Sequence, residues 1–135
     1  MSQPTMFEAP TQAYFTASLI MLANAAVVDQ AFFIAPEPLE VVEIHEIHTT
    51  LGTGAGDVTL QVERLQGTEA PGGNGDALLA TTVDLKAANN TRQAPALTAT
   101  TANLQLAAGD RLGVDISGTT TSVAGVVVTV LLRRI

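Results

Sequence analysis

The chain contains no cysteine and no tryptophan. Without cysteine there is no disulfide framework, no thiolate nucleophile and no Cys-based zinc site. Aromatics are only 4% of the residues, one Tyr and four Phe. Carbohydrate-binding modules and single-strand binders use aromatic side chains as stacking platforms, so this shortage argues against both. Charge is scarce too, at 14% against about 25% in an average soluble domain. What charge exists runs one way, with 13 acids against six Lys and Arg, a formal net charge of −7. Such a chain repels a phosphate backbone, and nucleic acid is not an expected partner. The acidity suits solubility or a basic partner surface. The apolar stretch from Leu19 to Ile34 is interrupted by Asn24, Asp29 and Gln30, so it does not read as a membrane span. The start, Met1 to Glu8, lacks the basic n-region of a signal peptide.

A catalytic constellation is also missing. The polar residues are mostly uncharged Thr, Asn, Gln and Gly, or lone acids in turns. His45-Glu46-Ile47-His48 is the one cluster of metal-ligand type. On a strand, side chains alternate, so His45 and His48 point to opposite faces and cannot share an ion. Its spacing of three, among β-branched neighbours, is not the helical i, i+4 pair of a metalloprotease. Glu43 to His48 is therefore expected to be a solvated or interface strand. Asp110 follows Gly109, a turn in which a carboxylate bonds local backbone, and no partner acid or base is spaced to work with it. Gly52-x-Gly54-x-Gly56 has no following Gly-Lys-Thr and opens no helix, so it is a turn and not a phosphate loop. Asp57, Asp76 and Asp84 are too scattered to supply the converging oxygens of a calcium site. The expectation is no enzyme activity, no cofactor and no bound metal.

What the sequence does hold is strands. At 135 residues it is one domain by length, able to bury roughly two-thirds of its unfolded surface. Residues 1–12, with Pro4 and Pro10 and little periodicity, read as an extended N-terminal arm, and residues 13–135 as the domain. Residues 13–34 read as two short strands with a bend near Asn24 or Asp29. Leu39 to Leu51 follows as a long strand. Val58, Leu60 and Val62 alternate with polar residues, as do Leu112, Val114 and Ile116. Leu78 to Leu85 is expected to be another strand. Loops at 67–75 and 87–101 should cross between sheets or stand out at one end. About eight strands with turn signals between them and no convincing helix predict an antiparallel β-sandwich or jelly roll.

The last strand, from Val126 through Leu132, is apolar on both faces. One face can pack the core. The other, Val127, Thr129 and Leu131, is expected to form a subunit interface in a homo-oligomer. Arg133 and Arg134 are the only paired cations and could meet an acidic partner surface. Met6 and Phe7 are the apolar anchors of the arm, and with the two arginines they make the candidate partner-binding set.

The order of these segments resembles a known group. Asp29-Gln30-Ala31-Phe32-Phe33-Ile34-Ala35-Pro36 leads to Val41-Val42, then Gly56-Asp57-Val58-Thr59-Leu60-Gln61-Val62, Pro71-Gly72-Gly73 and Asn89-Asn90-Thr91. Leu106-Ala107-Ala108-Gly109-Asp110-Arg111-Leu112 and Ala124-Gly125-Val126-Val127-Val128-Thr129-Val130 complete it. Together, over about residues 24–135, these resemble tailed-bacteriophage capsid decoration (cement) proteins, small virion proteins of β-sandwich or jelly-roll fold. The resemblance implies a structural protein on the capsid exterior, bound to the major capsid protein, as a homotrimer or else a dimer, with no catalytic residues. The alternative is a receptor- or glycan-binding head domain of a phage fibre or spike, which would call for exposed aromatics in the loops.

Overall fold

A computed structural model of the chain describes residues 13–135. The 1–12 arm, with Met6 and Phe7, lies outside the described residues. Nine strands form: β1 (Tyr14–Met21), β2 (Gln30–Ile34), β3 (Leu39–Ile47), β4 (Thr59–Leu65), β5 (Asp76–Ala77), β6 (Val83–Asp84), β7 (Gln105–Leu106), β8 (Arg111–Ser117) and β9 (Val126–Arg134). One sheet has the order β1-β9-β3-β7; the other runs β2-β8-β4-β5, with β6 also on β4. Every pairing is antiparallel. Taken as one interrupted strand, β5 and β6 bring the number to eight. The chain changes sheet at most connections, which is the winding of a jelly roll. The expected all-β sandwich is what forms, and the expected bend between the first two strands is a 3-10 turn at Asn24–Ala26.

Alternation decides which side chains fill the space between the sheets. On β9, Val126, Val128, Val130 and Leu132 are fully buried; on β1, Ala17, Leu19 and Met21 join them. Leu60 and Val62 of β4 and Leu112 and Val114 of β8 close the core from the other sheet. The second apolar face of β9 finds partial cover inside the molecule. β9 is a central strand, flanked by β1 and β3, and neighbouring side chains leave Val127, Thr129 and Leu131 half-buried.

Two expectations need correction. Leu78–Leu85 is not one strand. Leu78 and Leu79 are consecutive and both buried, which a flat strand exposed on one face cannot achieve; β5 ends just before them at Ala77, and after exposed Ala80 to Thr82 only Val83–Asp84 (β6) is strand. The loop at 67–75 neither crosses between sheets nor stands out. It folds over the outer face of the β4–β8 sheet, where an added Cβ at Gly113 would touch both Leu65 and Pro71. The Arg111 guanidinium donates to the carbonyls of Gly67 (3.0 Å) and Glu69 (2.9 Å) and holds the loop down. The later loop does cross, carrying the chain from β6 to β7 in the opposite sheet.

Leu132→Ala should lower unfolding free energy by about 2–5 kcal/mol, the usual cost of emptying a buried leucine site. Leu131→Ala, one residue away on the outer face, should cost under about half as much. Urea titration of the two variants checks the assignment of faces; equal losses would contradict it.

Candidate functional site

With the 67–75 loop over one outer face, the other sheet's outer face is the one left open among the described residues. Its outward side chains fall into cross-strand rows set by the register of β1, β9 and β3. Tyr14, Arg133 and Glu40 form the first row. Thr16, Leu131 and Glu43 form the second, Ser18, Thr129 and His45 the third, and Ile20, Val127 and Ile47 the fourth. The face thus grades from an ion pair at one end to an all-apolar row at the other. Ile20 is 61% exposed and Ile47 37%. Arg92, from the crossing loop, leans over the β3 side and closes a depression of about 310 Å³ lined by His45, Glu46, Ile47, Val127 and Thr129.

The sequence candidates can now be placed. Val127, Thr129 and Leu131 run down the centre of this face. Arg133 pairs with Glu40 across the strands, with Tyr14 opposite it on β1. Arg134 Nε lies 3.1 Å from Glu37 Oε1. Both cations therefore have acidic neighbours within the chain. Asp110 does what a turn acid does: its carboxylate accepts from the Ala107 backbone N–H at 2.9 Å. Lys86 Nζ donates to the carbonyls of Gly54 (2.7 Å) and Gly56 (2.9 Å), so the glycine-rich turn is occupied by the chain's own cation.

The His45–His48 segment departs from the expected solvated strand. His45 does face outward, 3.2 Å from Glu43. Glu46 and His48, however, are 1% and 0% exposed. The two histidines point opposite ways, as alternation requires, but the inner half of the segment is core. His48 Nε2 lies 2.7 Å from the Ala87 carbonyl, an acceptor only, so Nε2 carries a proton. Nδ1 lies 2.8 Å from Glu46 Oε2. A bare imine nitrogen and a carboxylate would both be acceptors there, so a second proton sits between them. Gln93 Nε2 donates to the other Glu46 oxygen at 3.3 Å, and the backbones of Glu46 and Gln93 bond reciprocally. Burial raises the Glu46 carboxyl above its ordinary 4.5, opposed by its bonds to His48 and Gln93. The pair is neutral overall, with both His48 ring nitrogens and both Glu46 oxygens engaged, and it ties the crossing loop to β3.

Acids also gather on the opposite sheet. Glu63 accepts from Gly72 N–H at 2.9 Å, and Asp29 accepts from Ile116 N–H at 2.6 Å. Gly72 has φ +75, and any side chain there would run into the Asp29 carboxylate. Burial, then the nearby Asp115 and Asp29, raise Glu63; burial and Asp29 raise Asp115. Among the described residues no three His, Cys, Asp or Glu side chains are arranged to hold a metal ion.

Stability should fall as pH rises out of the acid range. Burial holds Glu46, Glu63 and Asp115 above their ordinary values, so each contributes fully below its ordinary value and less as pH climbs through its raised one. In Glu46→Gln that carboxyl no longer ionises, and the amide can donate to Nδ1 while its oxygen still accepts from Gln93. That variant should lose less stability than the parent between pH 4 and pH 9. Thermal melts across pH 4–9 check this, and a parent curve that rises between pH 6 and 9 would contradict it. EDTA should leave the melting temperature unchanged.

No family model and no curated protein matches this chain. Two solved structures resemble it. A chain in the structure titled "Bacillus endospore appendages form a novel family of disulfide-linked pili" aligns over 92% of this chain and 87% of its own, at 12% identity and a TM-score of 0.37, too distant to carry an argument. A chain of the "Capsid of Ralstonia phage GP4" aligns over 89% of this chain and 81% of its own, with 20% identity and a TM-score of 0.59. The jelly-roll sandwich described above is therefore a fold shared with a chain of a bacteriophage capsid.

Proposed function

We propose that this is a structural virion protein that binds the outer surface of a phage capsid and stabilises contacts between major capsid subunits. The observation that carries the proposal is the fold shared with a chain of the Ralstonia phage GP4 capsid along 89% of the sequence. The ordered segments that resemble cement proteins point the same way. The open sheet face adds a physical reason. It is broad, poor in net charge and graded in polarity, suited to shape-matched contact with a protein surface. Interfaces of this kind are built from an apolar centre with a polar rim.

The protein acts by adhesion and carries out no reaction of its own. His48 has both ring nitrogens engaged in the core, and Asp110 is committed to its turn. A fibre-head role draws less support. The four described aromatics, Tyr14, Phe15, Phe32 and Phe33, all lie on β1 and β2, and none is in a loop. The resemblance implies a homotrimer, with a dimer as the other state.

The test is to mix the purified chain with capsids of the major capsid protein encoded in the same genome. Co-sedimentation and a higher capsid disruption temperature are expected. Failure to bind would end the proposal. Deleting residues 2–12 should leave the chain's own melting curve in place and weaken attachment, because an arm that orders on its partner acts through the complex. A truncated chain that unfolds, or that binds as tightly as the full one, would show the arm is misassigned.

A further inference from the structure

Sheet margins are where unpaired backbone invites another chain, and proteins blunt them with short strands, bulges, charges or prolines. Three of the four margins here are blunted. β7, β5 and β6 are two residues each. β2 has five residues and a register break between Ala31 and Phe33. β1 is different. It runs eight residues, pairs with β9 without a register break, and contains neither charge nor proline. No described residue pairs along its other side. Exposed apolar side chains collect on this flank too: of the seven large ones, Tyr14, Ile20, Leu22, Val28 and Ile34 lie on β1, on β2 or between them.

We propose that β1 pairs antiparallel with β1 of a second copy, about a two-fold axis at Ala17, so that two four-stranded sheets become one of eight. Residues opposite each other in an antiparallel pair point to the same face. The outward side chains of β1 are, in order, Tyr14, Thr16, Ser18 and Ile20. That order is apolar, polar, polar, apolar, the same in either direction. An axis at Ala17 sets each Ile20 against the partner's Tyr14 and each Ser18 against the partner's Thr16. Aromatic against β-branched and hydroxyl against hydroxyl are favoured cross-strand pairs. A slip to an axis at Ser18 would oppose Thr16 with Ile20 and lose both matches.

Charge selects the same occupant. The chain is at −7 overall, yet no charged residue occurs between Glu8 and Asp29. Two copies can meet here without bringing like charges together, which few other stretches of an acidic protein permit. The joined outer face is continuous: Glu40, Arg133 and Tyr14 of one copy lead into Ile20, Val127 and Ile47 of the next. The pairing uses the sheet's edge and leaves its face, with Val127, Thr129 and Leu131, free for other contacts. It does not depend on the virion role.

Sedimentation equilibrium of the full chain should give an even multiple of the 13.9 kDa protomer. The double variant T16K/S18K places lysine against lysine at both exposed pairs and should weaken pairing by roughly tenfold or more, with circular dichroism unchanged. T16K/S18E places lysine against glutamate at the same two pairs and should restore the parent mass. A monomeric or trimeric parent overturns the proposal. So does a T16K/S18K chain that stays fully associated, or a T16K/S18E chain no better associated than T16K/S18K. If T16K/S18K does not fold, Ile20→Lys, which sets a charge against the partner's Tyr14, takes its place, and an unchanged mass then overturns the proposal.

Discussion

β9, the last strand of the chain, lies between the first strand and the third, and both depend on it for backbone partners. Until residues 126–134 are in place, β1 has no hydrogen-bonded neighbour among the described residues, and β3 has only the two-residue β7 and the single Glu46–Gln93 bridge. The core depends on it as well, since Val126, Val128, Val130 and Leu132 form one wall of the space between the sheets. A pairing between residue 14 and residue 133 closes nearly the longest loop the chain can make. Contacts of that separation are characteristic of folds that form slowly, because the loop entropy precedes the reward. The low charge of β1 and β9 has a cost in the same interval, when both are apolar ribbons without partners.

Glu46 and His48 show how a polar cluster can be entirely structural. A buried acid or base alone would be costly; together they share a proton, and Ala87 and Gln93 satisfy what remains. The gain is positional. The crossing loop has little secondary structure, and this clamp, with the Glu46–Gln93 backbone bonds, fixes where it meets β3 and so where Arg92 stands over the outer face.

Much of the fold was legible because alternation is a strong signal. Leu60 and Val62, or Leu112 and Val114, could only line one side of a strand. The acidic turn at Asp110 was legible from Gly109 beside it. The break in Leu78–Leu85 was not, because a strand is indistinguishable from a buried turn when apolar residues are adjacent and no glycine or proline marks the stop. The His45–His48 segment was half legible. Alternation gave the opposition of the two histidines, but not which of them faces the core. That depended on the adjacent Val41 and Val42, an apolar doublet whose meaning is a change of phase. The loop over the opposite sheet was hidden for another reason: Pro71 and the glycines around it announce a turn but not the surface the turn lies on.

That doublet is where β3 bulges, with Val41 opposite Leu132 and Glu43 opposite Leu131, leaving Val42 unpaired. Val42 is an extra residue that the bulge absorbs, so that Glu43 takes the outward phase set by Leu131. Were β3 regular through Val42, Glu43, His45 and Ile47 would turn to the interior and Ile44, Glu46 and His48 out to water, with composition unchanged. Deleting Val42 and the bulge together would leave both faces as they are. The kink in the backbone between Val41 and Glu43, and not the side chain at position 42, decides which side of the strand is wet.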